Sequence, residues 1–151
     1  MNLNDVLTKQ NAITKILLKD GDKELSKELK VKIMRFRMAY NKIKNSFDAE
    51  TREFSESLIP QELKDLYSKS EKTDDDNMKI GELENKVNSE YYEFLKQKGF
   101  EEVELTIDDT LTEEEYSDIV EVNAGNDIEF NGRTVKAPDF LEFIYNLFVK
   151  E

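Results

Sequence analysis

Residues 23–58, KELSKELKVKIMRFRMAYNKIKNSFDAETREFSESL, decide the fold. Leu25, Leu29, Ile33, Phe36, Tyr40, Ile43 and Phe47 recur at spacings of four, four, three, four, three and four, and Phe54 and Leu58 continue the series. Apolar residues at these intervals share one face of a helix and form a heptad-like, coiled-coil type of seam. No Gly or Pro interrupts the run. The spacing predicts one helix from Lys23 to Leu58, about 50 Å long at 1.5 Å per residue. Pro60 ends or kinks it, and Gln61–Ser70 adds a few turns through Leu63, Leu66 and Tyr67.

Downstream, Ser70–Asn77 (SEKTDDDN) holds no apolar residue and reads as a flexible loop. Met78, Ile80, Leu83, Val87, Tyr91 and Phe94 then mark another helix, which ends at Gly99. Its stripe matches that of the long helix, so the two are expected to pair antiparallel, seam against seam. The second is shorter, and one end of the long helix needs another cover. Upstream, Leu3, Val6, Leu7, Ile13, Ile16 and Leu17 fall on one helical face between Leu3 and Lys19, with Asn2 or Asn4 as cap and Gly21 beyond the end. This N-terminal helix is the natural cover.

After Gly99 the pattern changes. Val103, Leu105 and Ile107 alternate with polar residues and predict a short half-buried strand. Thr112 and Glu115 have capping-box spacing, which predicts a helix through Ile119 and Val120. Asn131-Gly132, between Ile128/Phe130 and Val135, predicts a two-residue hairpin turn. Pro138 suits the first turn of a last helix that buries Leu141, Ile144, Leu147 and Phe148. The expected fold is mainly α: a long antiparallel helical hairpin with an N-terminal helix and a small α+β C-terminal lobe. The expected division is a helical hairpin domain over 1–99 and a small acidic lobe over 100–151, packed on it as one cooperative unit.

The chain has 151 residues, which suffices for one ordinary domain without a staple. It has neither Cys nor His. That removes disulfides, thiolate chemistry, the commonest general base and the commonest transition-metal ligand. The five glycines fit no phosphate-binding loop, and no Ser lies in a nucleophile elbow. Asp74-Asp75-Asp76 lacks the spacing of a calcium loop and reads as solvated charge. Asp108-Asp109 and Glu113-Glu114-Glu115 could do acid–base work only inside a cleft, which nothing in the sequence indicates. No catalytic residue, cofactor or metal site is expected, and the protein is not read as an enzyme. Met1–Asp5 lacks the features of a signal peptide, and no window approaches about 18 apolar residues, so no membrane contact and a cytoplasmic location are expected.

The net charge of −12 is spread unevenly: residues 1–50 carry +4, 51–100 carry −4 and 101–151 carry −12. Two surfaces follow as partner-binding candidates. One is the side of the long helix away from its seam, with Lys23, Lys27, Lys30, Arg37 and Lys44 around Met34 and Met38. It reads either as a solvated face, with the methionines packed under the N-terminal helix, or as a docking face for an acidic protein surface or for nucleic acid. It could also meet the acidic lobe of the same chain or of a second copy. The other candidate is Glu113, Glu114 and Glu115, which read as acids favouring a helix N-terminus or as part of a phosphate-like surface. The overall charge opposes direct nucleic-acid binding.

The order of elements is a short helix (Leu3–Leu18), a Lys-rich opening to a long helix (Glu28-Leu29-Lys30-Val31-Lys32-Ile33) and then Phe47-Asp48-Ala49-Glu50-Thr51-Arg52-Glu53-Phe54. A charged loop, a helix ending near Phe94-Leu95, an acidic strand (Val103-Glu104-Leu105) and a closing helix (Phe140-Leu141-Glu142-Phe143-Ile144) complete it. This order resembles small acidic, mainly helical proteins of unknown function encoded by tailed bacteriophages. The resemblance spans nearly the whole chain as a pattern of elements, with a departure at Ile128–Lys136, and it holds no diagnostic motif. It implies a phage protein acting in the bacterial cytoplasm or in the virion. The expected function is protein binding in virion structure or assembly, with self-association included. The alternative is an acidic inhibitor that mimics nucleic acid toward a host nucleic-acid-binding protein.

Overall fold

Residues 1–149 are described by the computed structural model; Lys150 and Glu151, the end of the expected lobe, lie outside the described residues. The elements run α1 (Leu3–Thr14), β1 (Lys19–Asp20), β2 (Lys23–Glu24), α2 (Lys27–Leu58), α3 (Gln61–Ser68) and α4 (Asp74–Gly99). They continue with α5 (Glu113–Asn123), β3 (Ile128–Phe130), β4 (Arg133–Val135) and α6 (Ala137–Phe148). The fold is mainly α, with a long helix and two small antiparallel hairpins.

The chain divides into two units. One contains Met1, residues 3–44 and the chain from Val103 on; the other contains Asn2 and residues 45–102. These are not the 1–99 and 100–151 segments expected. The reason lies in the first half of α2. Leu29, Ile33, Phe36 and Tyr40 are buried in one cluster with Val6 and Ile13 of α1, Ile119 and Val122 of α5, and Phe140, Ile144 and Phe148 of α6. The early part of the seam is therefore covered by α1 together with the C-terminal elements.

Within this first unit, Phe36, Tyr40 and Phe148 form an aromatic group with ring centroids 6.1–6.4 Å apart. Asn123 is buried and fully satisfied. Its Oδ1 accepts the Leu17 N–H at 2.8 Å, and its Nδ2 donates to the carbonyls of Leu17 (3.1 Å) and Ile119 (2.9 Å). It ties the segment after α1 to α5, and a buried amide satisfied in this way costs little to bury. Thr112 and Glu115 form the expected capping box of α5, and Pro138 sits in the first turn of α6. The β3–β4 turn places Asn131 at φ 52° and Gly132 at φ 75°, the pair of positive angles that a type I′ turn demands.

The second unit holds the later half of α2, α3 and α4. Phe54 stacks on Phe94 with centroids 4.0 Å apart, and Lys98 pairs with Glu50, so α2 and α4 run antiparallel. Phe47, Phe54 and Leu58 on one helix and Ile80, Leu83, Val87, Tyr91 and Phe94 on the other are half-buried. Leu63 and Leu66 of α3 are buried.

Four local expectations are corrected. α2 begins at Lys27, because Gly21 (φ 61°) turns the chain into the β1–β2 hairpin and Ser26 Oγ then accepts the Leu29 N–H at 3.2 Å. α1 stops at Thr14, and Ile16 is buried beyond it. Val103, Leu105 and Ile107 are half-buried in alternation but form no strand, since pairing there is confined to an isolated Asn2–Glu102 bridge and one bond from the Val103 N–H to the Met1 carbonyl. Asp74–Asn77 belongs to α4 and not to a loop. Thr73 caps the helix through a capping box with Asp76, and three aspartates favour its positive N-terminal end.

Candidate functional site

The outward face of α2 in the first unit combines exposed apolar side chains with cations. With a fully buried seam on one side, the helix turns Val31, Met34 and Met38 to the other. They are 42%, 46% and 69% exposed. Spacings of three and four place them on one stripe. The reading of Met34 and Met38 as a second core contact under the N-terminal helix is thereby overturned. α1 is instead held to α2 by Arg37, whose Nε donates to the Ile13 carbonyl (3.2 Å) and Nη2 to the Ile16 carbonyl (2.6 Å). Ile13 lies in the last turn of α1 and Ile16 just beyond it, where carbonyls lack partners within the helix. Burial lowers the Arg37 pKa. Arg37 is thus a structural clamp and not an open cation.

The remaining cations sort in the same way. Lys30 pairs with Glu24, and Lys32 pairs with Glu115 at 2.6 Å. Lys23 is exposed in the β1–β2 hairpin, outside the helix, and Lys44 is half-buried on α2. Lys27, Arg35 and Lys42 are exposed, make no ion pair with any described residue, and flank the Val31–Met34–Met38 stripe. Between Lys27 and Asn45, α2 carries seven basic side chains against Glu28 alone, so the stripe is cationic. Arg35 and Lys42 were absent from the residues singled out in the sequence. Their place beside the stripe follows from the 3.6-residue period, but their freedom depends on which acids the fold brings near.

A groove of 490 Å³ opens beside the stripe, with Val31, Lys32 and Arg35 on one wall and Ile107, Asp108 and Glu115 on the other. Burial would raise the Glu115 pKa, but hydrogen bonds from Lys32 and from the Thr112 backbone outweigh it and hold the carboxyl below its usual value. Glu113 accepts the Tyr145 hydroxyl at 2.5 Å. Of the three glutamates singled out, Glu114 alone is exposed without such a partner among the described residues, and Asp118 and Glu121 join it on the exposed side of α5.

No family model, curated protein or solved structure matches the chain.

One buried ionic group escaped the sequence reading. Asp109 Oδ2 accepts from Lys9 Nζ at 2.7 Å and from the Tyr40 hydroxyl at 2.6 Å, and all three residues are buried. Lys9 also lies 5.5 Å from the centre of the Phe148 ring. Burial would raise the Asp109 pKa, but the Lys9 and Tyr40 hydrogen bonds more than offset it and the carboxyl titrates below its usual range. Burial and the neighbouring carboxylate push the Tyr40 phenol far upward. Lys9 and Tyr40 both donate to Asp109, and the three act as a latch that holds the segment before α5 on α1 and α2. Asp108 accepts the Thr110 N–H, and Asp76 accepts from the Thr73 N–H and Lys69. Among the described residues no cluster of three carboxylates is placed to hold a metal ion, and no helix is long and apolar enough to cross a membrane.

Proposed function

We propose that this chain is a non-enzymatic protein-binding module that docks an acidic protein surface on the outward face of α2. The carrying observation is the exposed Val31–Met34–Met38 stripe flanked by Lys27, Arg35 and Lys42. Exposed methionines are adaptable, polarizable contacts, and arginine beside apolar surface is enriched at interfaces. The setting we propose is the structure or assembly of a tailed-phage particle, a reading supported by the order of elements. Incorporating a photo-crosslinking amino acid at Met38, and as a control at exposed Lys64 of α3, tests the docking face in the cells that produce the protein. Adducts specific to position 38 are expected. Equal labelling at both positions, or none at position 38, overturns it. Mass spectrometry of purified particles tests the virion setting, and absence of the chain overturns that part.

A second reading, an acidic mimic of nucleic acid, is favoured by Glu114, Asp118 and Glu121 on the exposed side of α5. It predicts that reversing these three to lysine removes binding to a basic host protein, whereas the α2 reading predicts no change.

A further inference from the structure

The α2 stripe has a counterpart elsewhere in the same chain. On α4, Met78 and Tyr92 are 67% and 73% exposed, among the most open large apolar side chains described. At 3.6 residues per turn they share a face with Glu82, Asn85 and Ser89. This face carries the opposite charge. Asp74, Asp75, Glu82 and Glu93 border it, against Lys86 beside Glu82 and Lys96 at its end, and all are exposed. Glu82 makes no ion pair with any described residue.

Lys27 to Lys42 spans about 22 Å of helix, the length of α4 from Asp74 to Ser89. Laid antiparallel with Met38 against Met78, the helices bring Arg35 beside Glu82 and Lys42 beside Asp74 and Asp75, while Val31 faces Asn85. Antiparallel packing also opposes the helix dipoles favourably.

We infer that the occupant of the α2 docking face is the α4 face of a second copy of this chain. The inference rests on the docking-face reading above and names its partner. The contact joins two different surfaces, so it is heterologous: it closes into a ring or propagates along a row, as an assembly protein requires.

Sedimentation velocity of the full chain across a concentration series tests it. At low salt the chain should associate with rising concentration, and added salt should weaken the association. Arg35→Glu and Glu82→Arg should each raise the dissociation constant about tenfold or more, because each sets like charges face to face. The double variant should recover wild-type association. An equimolar mixture of the two single variants should recover association through the one wild-type contact that remains between them. Met38→Asp should abolish association while circular dichroism stays unchanged, since all three positions are exposed. A wild-type chain that stays monomeric at its highest soluble concentration overturns the inference, as does association that ignores the charge swap. The Met38 crosslinker separates the two levels of the argument. Adducts with a different protein on a monomeric chain overturn the self-contact alone, whereas no adduct at Met38 overturns the docking face as well.

Discussion

Removing Lys9 would leave the Asp109 carboxylate buried without a countercharge, answered by the Tyr40 hydroxyl and its own backbone N–H. Lys9→Met should therefore cost about 3–5 kcal/mol, the usual penalty for breaking a buried ion pair from one side. Tyr40→Phe, which deletes one hydrogen bond to a charged group, should cost about 1–3 kcal/mol. Urea unfolding of the two variants measures both. The latch also sets a pH window. The folded Asp109 pKa lies below its ordinary 3.8, so its contribution is complete above that value and is lost as pH falls through the folded pKa. The folded Tyr40 pKa lies above its ordinary 10.0, so its contribution holds below pH 10 and is lost as pH rises beyond. In Asp109→Asn the acid limb of the stability curve should flatten relative to wild type; an unchanged acid limb would exclude Asp109 as its source. None of this was legible in the sequence. Lys9 and Asp109 are 100 positions apart, and an aspartate pair in a polar stretch looks the same whether water or a lysine answers it.

At the scale of elements, periodicity told which face of α2 is hidden but not what hides it. Leu29–Tyr40 and Phe47–Leu58 belong to one seam in the sequence, yet the first stretch rests on α1, α5 and α6 and the second faces α4. Turn and cap chemistry was legible where its signal was strong, as at Asn131-Gly132 and at Thr112/Glu115. It was missed where two meanings competed. Gly21 served equally as a helix stop and as a hairpin turn, and Asp74–Asp76 resembled a loop because aspartate is a weak helix former outside the first turn. Thr73→Ala should cost about 1 kcal/mol through loss of the cap. Amide hydrogen exchange should quicken in the first turn of α4 and stay unchanged in α5; faster exchange in both would mean a global effect and refute the local account.

Across the whole molecule, a net charge of −12 works against any compact state through self-repulsion. Moderate salt screens exposed charges far more than the buried Lys9–Asp109 pair. Adding sodium chloride should therefore raise the midpoint of urea unfolding, and a midpoint that falls with salt would mean that exposed attractive pairs such as Lys136–Asp127 dominate instead. The candidate site was half legible at this scale: the cationic, methionine-bearing side of α2 could be read, but which of its cations are already engaged depended on where Glu24, Glu115 and the end of α1 come to rest.

The interleaving of α1 and the start of α2 with α5 and α6 has a consequence for biosynthesis. A ribosome releases the chain from its N-terminus, so Ile33, Phe36 and Tyr40 emerge well before Phe140, Ile144 and Phe148 are translated. Residues 45–102 have their own packing partners in hand during that interval, while the earlier apolar surface waits uncovered. Nascent chains stalled just after Glu102 should be held by chaperones through α1 and the first turns of α2, and should let go once α6 has been made.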